Sequence, residues 1–205
     1  MEVNESKKLS TAREQILEHA EKHELYKNIT ETKGHIVFGR GDDEAKILFI
    51  GEAPGFSENQ QGKPFVGRSG KLLDEWIKEL GIKENEYAVI NVVPIIPLSP
   101  DKKIRPPTEQ EIEYFFPFTL KIIEQINPQI IVLLGRSAAS IFDENLKPKQ
   151  TKKETIGKTQ TTLYFIYHPA YYLRNGKKGL EDVQPLKKIL EEEKGKKQTT
   201  LGNYA

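Results

Sequence analysis

Cysteine is absent from the 205-residue chain, and Met and Trp occur once each. Without a thiol there is no disulfide, no thiolate nucleophile, no Cys-ligated zinc and no Cys-held iron–sulfur cluster. Long apolar runs are missing too. None approaches the roughly 18 residues of a membrane-spanning helix, so no membrane association is expected. The first residues, MEVNESKKLSTAREQ, lack the apolar core of a secretion signal. Net charge is almost nil, with 31 Lys+Arg against 30 Asp+Glu. Apolar residues still make up 37%, enough at this length for one domain with a buried core. Balanced charge with apolar runs is not the composition of a disordered chain. A soluble, intracellular globular protein is expected.

The even balance conceals an asymmetry. Met1 to Glu144 holds 18 basic and 24 acidic residues, whereas Asn145 to Ala205 holds 13 and 6, so the two parts carry −6 and +7. A basic C-terminal third is either a solvated lysine-rich end or a face for a polyanion.

Apolar runs at Lys46–Ile50, Tyr87–Val93, Ile130–Leu134 and Thr161–Tyr167 read as strands. Between them lie helical patterns: Ser10 to about Tyr26, Ser69–Leu80 closed by Gly81, Ser137–Phe142 and Glu181–Glu193. Another opens on a Thr108/Glu111 capping box and runs to about Ile126. Prolines 94, 97, 100, 106 and 107 forbid regular structure in one connection. Strands alternating with helices predict an α/β fold: a single three-layer α/β/α domain, residues 1–195, around a four-stranded, mainly parallel sheet. Residues 196–205 form a C-terminal tail.

Such sheets bind ligands beyond the C-terminal ends of their strands. That rule selects Gly51-Glu52-Ala53-Pro54-Gly55, Asn91, Gly135-Arg136-Ser137 and His168-Pro169-Ala170. The glycine turn carries neither a GK[ST] nor a GxGxxG pattern, so it is neither a P-loop nor a dinucleotide fingerprint. It is either a tight strand exit or a turn whose amides face a small ligand. Glu52 and Glu58 are either solvated acids or groups that orient water. Phe65 is either a tucked loop aromatic or a stacking platform. Asn91 offers a donor beside an acceptor, or caps its own turn. His168 is placed to stabilise a developing oxyanion, or is structural. Tyr171, Tyr172 and Leu173 sit among Arg174, Lys177 and Lys178, a mixture suited to nucleic-acid backbone and base stack, or simply an exposed basic loop.

Together these residues resemble the uracil-DNA glycosylase superfamily, most closely its family 4. The strings are GEAPGFSENQQGKPFVGRSGKLL, Asn91 within VINVV, IRPPT…E…FPFTL, IIVLLGRSAA and YHPAYYLR. The resemblance spans roughly Ile29 to Arg174. It implies hydrolysis of the N-glycosidic bond of deoxyuridine in DNA, leaving an abasic site. Catalysis would fall to Glu52, Asn91 and His168. Gly51, Ala53, Gly55, Glu58, Phe65 and Asn91 would hold the base: Phe65 stacking on it, Asn91 reading its polar edge and Glu58 crowding its C5 position. Arg68, Ser69, Arg136, Ser137, Tyr171, Leu173, Arg174, Lys177 and Lys178 would meet DNA, with the Tyr171–Arg174 segment entering the minor groove. A cytoplasmic, nucleoid-associated location follows if the source is prokaryotic, and a monomer is expected.

Two departures stand out. The family's four cluster cysteines correspond to Glu24, Lys27, Ile95 and Phe115, so no cluster and no other cofactor is expected. The water-activating Asp of family 1 corresponds to Ala53, so turnover slower than family 1 is expected. Competing readings are a damage-binding protein with little catalysis, a relative that traps the abasic sugar covalently, and a small-molecule nucleosidase. Finally, Gln198, Leu201 and Tyr204 resemble a PCNA-interacting peptide, which would make a PCNA-type sliding clamp a second partner. An ordinary frayed terminus is the alternative.

Overall fold

The computed structural model describes the backbone of residues 7–202 and the side chains of residues 13–193. The four anticipated strands appear as Ile47–Gly51, Tyr87–Asn91, Ile130–Leu134 and Thr159–Ile166. Two more, Gly39–Gly41 and Thr151–Ile156, flank them. The expected four-stranded sheet is therefore corrected to six strands. Numbered β1 to β6 in chain order, they lie as β1-β3-β2-β4-β6-β5. The inner four are parallel and each edge strand pairs antiparallel. The added strands are edges, where no apolar run is needed. β1 is only three residues long, and β5 is mostly exposed and carries two lysines, a composition that blunts an edge.

Every residue of β2 and β4 is buried, because helices cover both faces. Leu48, Ile50, Ile131 and Leu133 point into one core, with α1 (Lys7–Lys22), α2 (Tyr26–Thr32), α5 (Glu109–Ile126) and α6 (Arg136–Ser140). Ile47, Phe49, Ile130, Val132 and Leu134 point into the other, with α4 (Arg68–Glu79), α7 (Pro169–Arg174) and α8 (Leu180–Gly202). A short helix, α3 (Phe56–Gln61), lies in the glycine-rich loop after β2. This is the expected three-layer arrangement.

Some boundaries differ from expectation. The helix foreseen from Ser10 to Tyr26 is two, α1 and α2. At the break the Leu25 amide donates to His23 Nδ1 at 3.1 Å, a local bond that competes with helix propagation. The last helix runs past Glu193 to Gly202, through three lysines, a glutamine and a leucine of good helix propensity that outweigh Gly195 and the two threonines. The side chains of Gln198 and Leu201, and all of Tyr204, lie outside the described residues. Among those described, no helix is long and apolar enough to cross a membrane.

The capping box of α5 forms as foreseen. Thr108 Oγ1 accepts from the Glu111 amide at 3.2 Å, and Glu111 Oε2 accepts from the Thr108 amide at 2.8 Å. Glu111, only 3% exposed, also receives a two-pronged bond from Arg105, at 2.8 and 2.5 Å. Burial alone pushes its carboxyl up, but the Arg105 fork and the Thr108 amide outweigh it and hold the group below its ordinary value. This contribution to stability is present above the ordinary carboxylate range and fades as pH falls through the depressed value. Glu111→Gln leaves Arg105 half-paired against the core, and Arg105's partial exposure tempers the cost. A loss of about 2 kcal/mol is expected at neutral pH, shrinking in acid, as read by urea denaturation at several pH values.

Candidate active site

The parallel register sets Gly51 opposite Asn91 at the ends of β2 and β3. β4 and β6 end nearby at Leu134 and Ile166, just before Gly135 and His168. All the strand-end candidates thus fall on one rim. A cleft of about 630 Å³ opens there, lined by Glu52, Phe65, Asn91, His168 and Arg174 among others.

Glu58 organises the near wall. Its carboxylate accepts from the amides of Gly55 (3.1 Å), Val66 (3.0 Å) and Gly67 (2.8 Å). These bonds close the loop between β2 and α4 and fix Phe65 between them. Phe65 holds φ 53, a left-handed conformation that costs an aromatic residue on the order of 1–3 kcal/mol. Glu58 is therefore a positioning residue, with both oxygens bonded to backbone amides, and it also lines the cleft.

Two glycines make room for Phe65, one for its backbone and one for its ring. A Cβ on Gly70 would collide with the Phe65 carbonyl, and a Cβ on Gly51 would lie 2.6 Å from the Phe65 ring and 2.5 Å from Asn91 Oδ1. The bare backbone at Gly51 thus lets an aromatic face and an amide approach each other across one strand end. Asn91 is 6% exposed, and its side-chain amide makes no hydrogen bond within the chain among the described residues, so both its donor and its acceptor are available to the cleft.

Opposite Phe65 stands His168, ring centroids 5.6 Å apart. His168 is the N-cap of α7, and its Nδ1 accepts from the Ala170 amide at 3.1 Å. That bond leaves the proton on Nε2. Burial, seconded by the charge of Arg174, pushes the imidazole down to about 4. At neutral pH His168 is therefore an uncharged N–H donor. Glu52 shifts the other way: burial raises its carboxyl, while Ser137 and the charge of Arg174 pull partly back.

The other expected site residues distribute unevenly. Ala53, Gly55, Arg68 and Ser69 line the cleft, Arg68 at the start of α4. Ser137 is set against Glu52. Arg136 is exposed, and its guanidinium bonds the Leu146 carbonyl at 2.6 Å and lies over the Phe165 ring. Leu173 packs on the core around Trp76. Tyr171, Arg174, Lys177 and Lys178 are exposed, although Lys178 pairs with Glu75 at 2.9 Å. The strand-end rule does not reach the mouth of the cleft. Phe56 and Ile104 stand there 46% and 47% exposed, beside Pro97, Arg105, Pro106 and Pro107. The density of prolines in that segment is the one sequence signal that points to it.

The positions of the family's cluster cysteines do not suit a cluster. Ile95 and Phe115 are fully buried in hydrocarbon, with His23 packed on Phe115 and Tyr114. Glu24 and Lys27 lie toward the surface. None of the four is a thiolate, and among the described residues no cluster of His, Cys, Asp or Glu is placed to hold a metal ion.

The Gly51 approach is directly testable. Gly51→Ala should cost about 1–3 kcal/mol in urea denaturation, the usual range for overpacking, because the new methyl must displace Phe65 or Asn91.

Comparison with known proteins agrees with this geometry. The family model described as the uracil DNA glycosylase superfamily matches residues 38–193. The type-4 uracil-DNA glycosylase of Archaeoglobus fulgidus is 37% identical over 187 residues, covering 86% of this chain and 91% of its own. That of Thermotoga maritima is 37% identical over 169 residues, covering 78% and 85%. That of Saccharolobus solfataricus is 38% identical over 168 residues, covering 76% and 71%. The matched span runs from before β1 into α8 and takes in every strand and the whole rim of the cleft, and on that ground the chain belongs to the uracil DNA glycosylase superfamily.

Proposed function

We propose that this protein is a monofunctional uracil-DNA glycosylase. It hydrolyses the N-glycosidic bond of deoxyuridine in DNA and leaves an abasic site for base excision repair. The observation that carries this reading is His168. Its tautomer is set by the Ala170 amide and its charge is suppressed by burial, so it presents a neutral N–H donor in the cleft, beside Phe65. Uracil leaves as an anion, and a fixed, uncharged donor stabilises the charge that develops on a carbonyl oxygen without repelling or protonating other groups.

The remaining groups divide the work. Phe65 stacks on the flipped base. Asn91, with both functions of its amide open, matches the adjacent N–H and C=O of a uracil edge. Glu52 faces the sugar side as a carboxylate, where it favours oxocarbenium character and orients water. Ala53 supplies no base, so Glu52 is the acid left to do this, and turnover is slower than in enzymes with an Asp at that point. Flipping the nucleotide costs a few kcal/mol, less for a mismatched or unpaired uridine. Arg68, at the N-terminus of α4, and Arg174 approach backbone phosphates. The cleft is complete within one chain, which supports action as a monomer. A contact of the Gln198, Leu201 and Tyr204 segment with a PCNA-type sliding clamp is part of the same proposal. Calorimetry of the clamp against the full chain and a version ending at Lys197 tests it, equal binding removing the tail from the contact.

Asn91→Ala and His168→Ala should each lower single-turnover uracil release by about 100-fold or more with the fold intact. A folded His168→Ala with the parental rate would remove His168 from the mechanism.

The pH profile separates the two titrating groups. Glu52 is raised above 4.5 and must be ionised to act, so the rate falls as pH drops through that raised value. His168, at about 4, stays neutral through the same range. The acid limb should therefore disappear in Glu52→Gln, together with most of the rate. It should persist unshifted in His168→Ala at a lower plateau. Single-turnover rates between about pH 4.5 and 8 check both outcomes.

A further inference from the structure

Tyr167 and Tyr171 bracket His168 in sequence, one residue before it and three after. Their rings lie 4.4 Å apart at 22°, a parallel stack. Both remain exposed, at 36% and 40%. The buried Tyr172 braces the pair from beneath, meeting Tyr167 edge-on at 6.3 Å and Tyr171 at 5.4 Å. Tyr172 is itself tethered through its hydroxyl to Asp182 at 2.7 Å. The Asn175 side chain bonds the Tyr171 carbonyl at 2.7 Å and holds that turn. The result is a preset aromatic slab at the surface. His168 and Ala170, which line the cleft, lie between the two tyrosines in the chain, so the slab is built on the segment that carries cleft-lining residues. Arg174 flanks it at the cleft, and Lys177 is exposed nearby with no ion-pair partner among the described residues.

This geometry alters what Tyr171 can do. A ring already stacked on Tyr167 cannot wedge between two bases without giving up that stack. It can accept a further ring on its open face. A base inside a duplex has neighbours on both faces and offers little to such a slab, whereas an unstacked base has a free face to offer.

We propose that the Tyr167–Tyr171 slab is a second nucleobase site, taking an unstacked base of single-stranded DNA adjacent to the flipped uridine. The site rests on the proposed action on uracil in DNA and deepens it: single-stranded or looped DNA is the substrate form held best. The aromatic face supplies sequence-tolerant stacking while Arg174 and Lys177 follow the phosphates.

The test uses the full chain and single-stranded oligonucleotides containing 2′-fluoro-2′-deoxyuridine, which resists cleavage. 2-Aminopurine is placed at each position flanking the uridine or about six nucleotides away, beyond the reach of this site. Binding should quench a flanking 2-aminopurine and leave the distant one bright. Tyr167→Leu and Tyr171→Leu should each abolish that quenching and weaken single-strand affinity about tenfold. Tyr167→Phe and Tyr171→Phe, which keep the rings, should retain both, and thermal melts confirm that all four variants are folded. Undiminished quenching and affinity in the Leu variants, or no quenching at any flanking position in the parent, overturns the second site. Uracil release by the parent from the unmodified oligonucleotide is scored separately. Its absence sinks the glycosylase reading, whereas release without tyrosine-dependent quenching sinks only the slab.

Discussion

One carboxylate governs the geometry of the cleft. Glu58 gathers three backbone amides from two stretches of chain, and by doing so holds Phe65 in a backbone conformation it would not choose. Loop closure, the orientation of the Phe65 ring, and the start of α4 all hang on that anchor. The glycines at 51 and 70 are its complement: Gly51 removes the atom that the fixed ring would strike, and Gly70 the one that the Phe65 backbone would. An aromatic platform at the end of a loop is thereby as rigid as one built on a strand. Rigid placement is what lets stacking and hydrogen bonding act on the reacting base rather than on the protein's own rearrangement.

Burial acts on the two titrating groups of the cleft in the same direction, toward neutrality, with opposite chemical results. Under the proposed mechanism neutrality is the useful state for His168, with the Ala170 amide setting the tautomer. For Glu52 it would be the idle state, and Ser137 and Arg174 restrain the drift. Arg174 touches both balances, and a DNA phosphate bound to it, as proposed, would partly neutralise the charge felt by His168 and Glu52 together.

Much of this is legible in the chain. The apolar runs ending at Gly51, Asn91, Leu134 and Tyr167 locate the inner strands within a residue or two. The rule that ligands gather at strand ends then selects the cleft's main residues from the amino-acid order alone. Edge strands escape because an edge is not required to be apolar. Gly157-Lys158, between β5 and β6, is nonetheless a readable hairpin loop, with Gly157 at positive φ. Arg136 shows what local pattern leaves out. Its place after β4 suggests an outward charge, and it is exposed, but its guanidinium is also held by the carbonyls of Leu146 and Glu144, contacts that no local pattern announces. Glu58 stands out in the sequence and does line the cleft, but sequence does not reveal which backbone amides its carboxylate will also find. The Tyr167–Tyr171 spacing is visible, but their stacking depends on the turn at Pro169.

The hydrocarbon at Ile95 and Phe115 carries a biological consequence. Where relatives by resemblance would keep a redox-active inorganic centre, this chain keeps side chains that neither gain nor lose electrons, and it has no cysteine elsewhere to substitute. Packing at these two positions does not wait on delivery of iron and sulfide. Nothing at Ile95 or Phe115 offers iron a ligand, and nothing there can be dismantled by an oxidant that attacks a metal–sulfur bond.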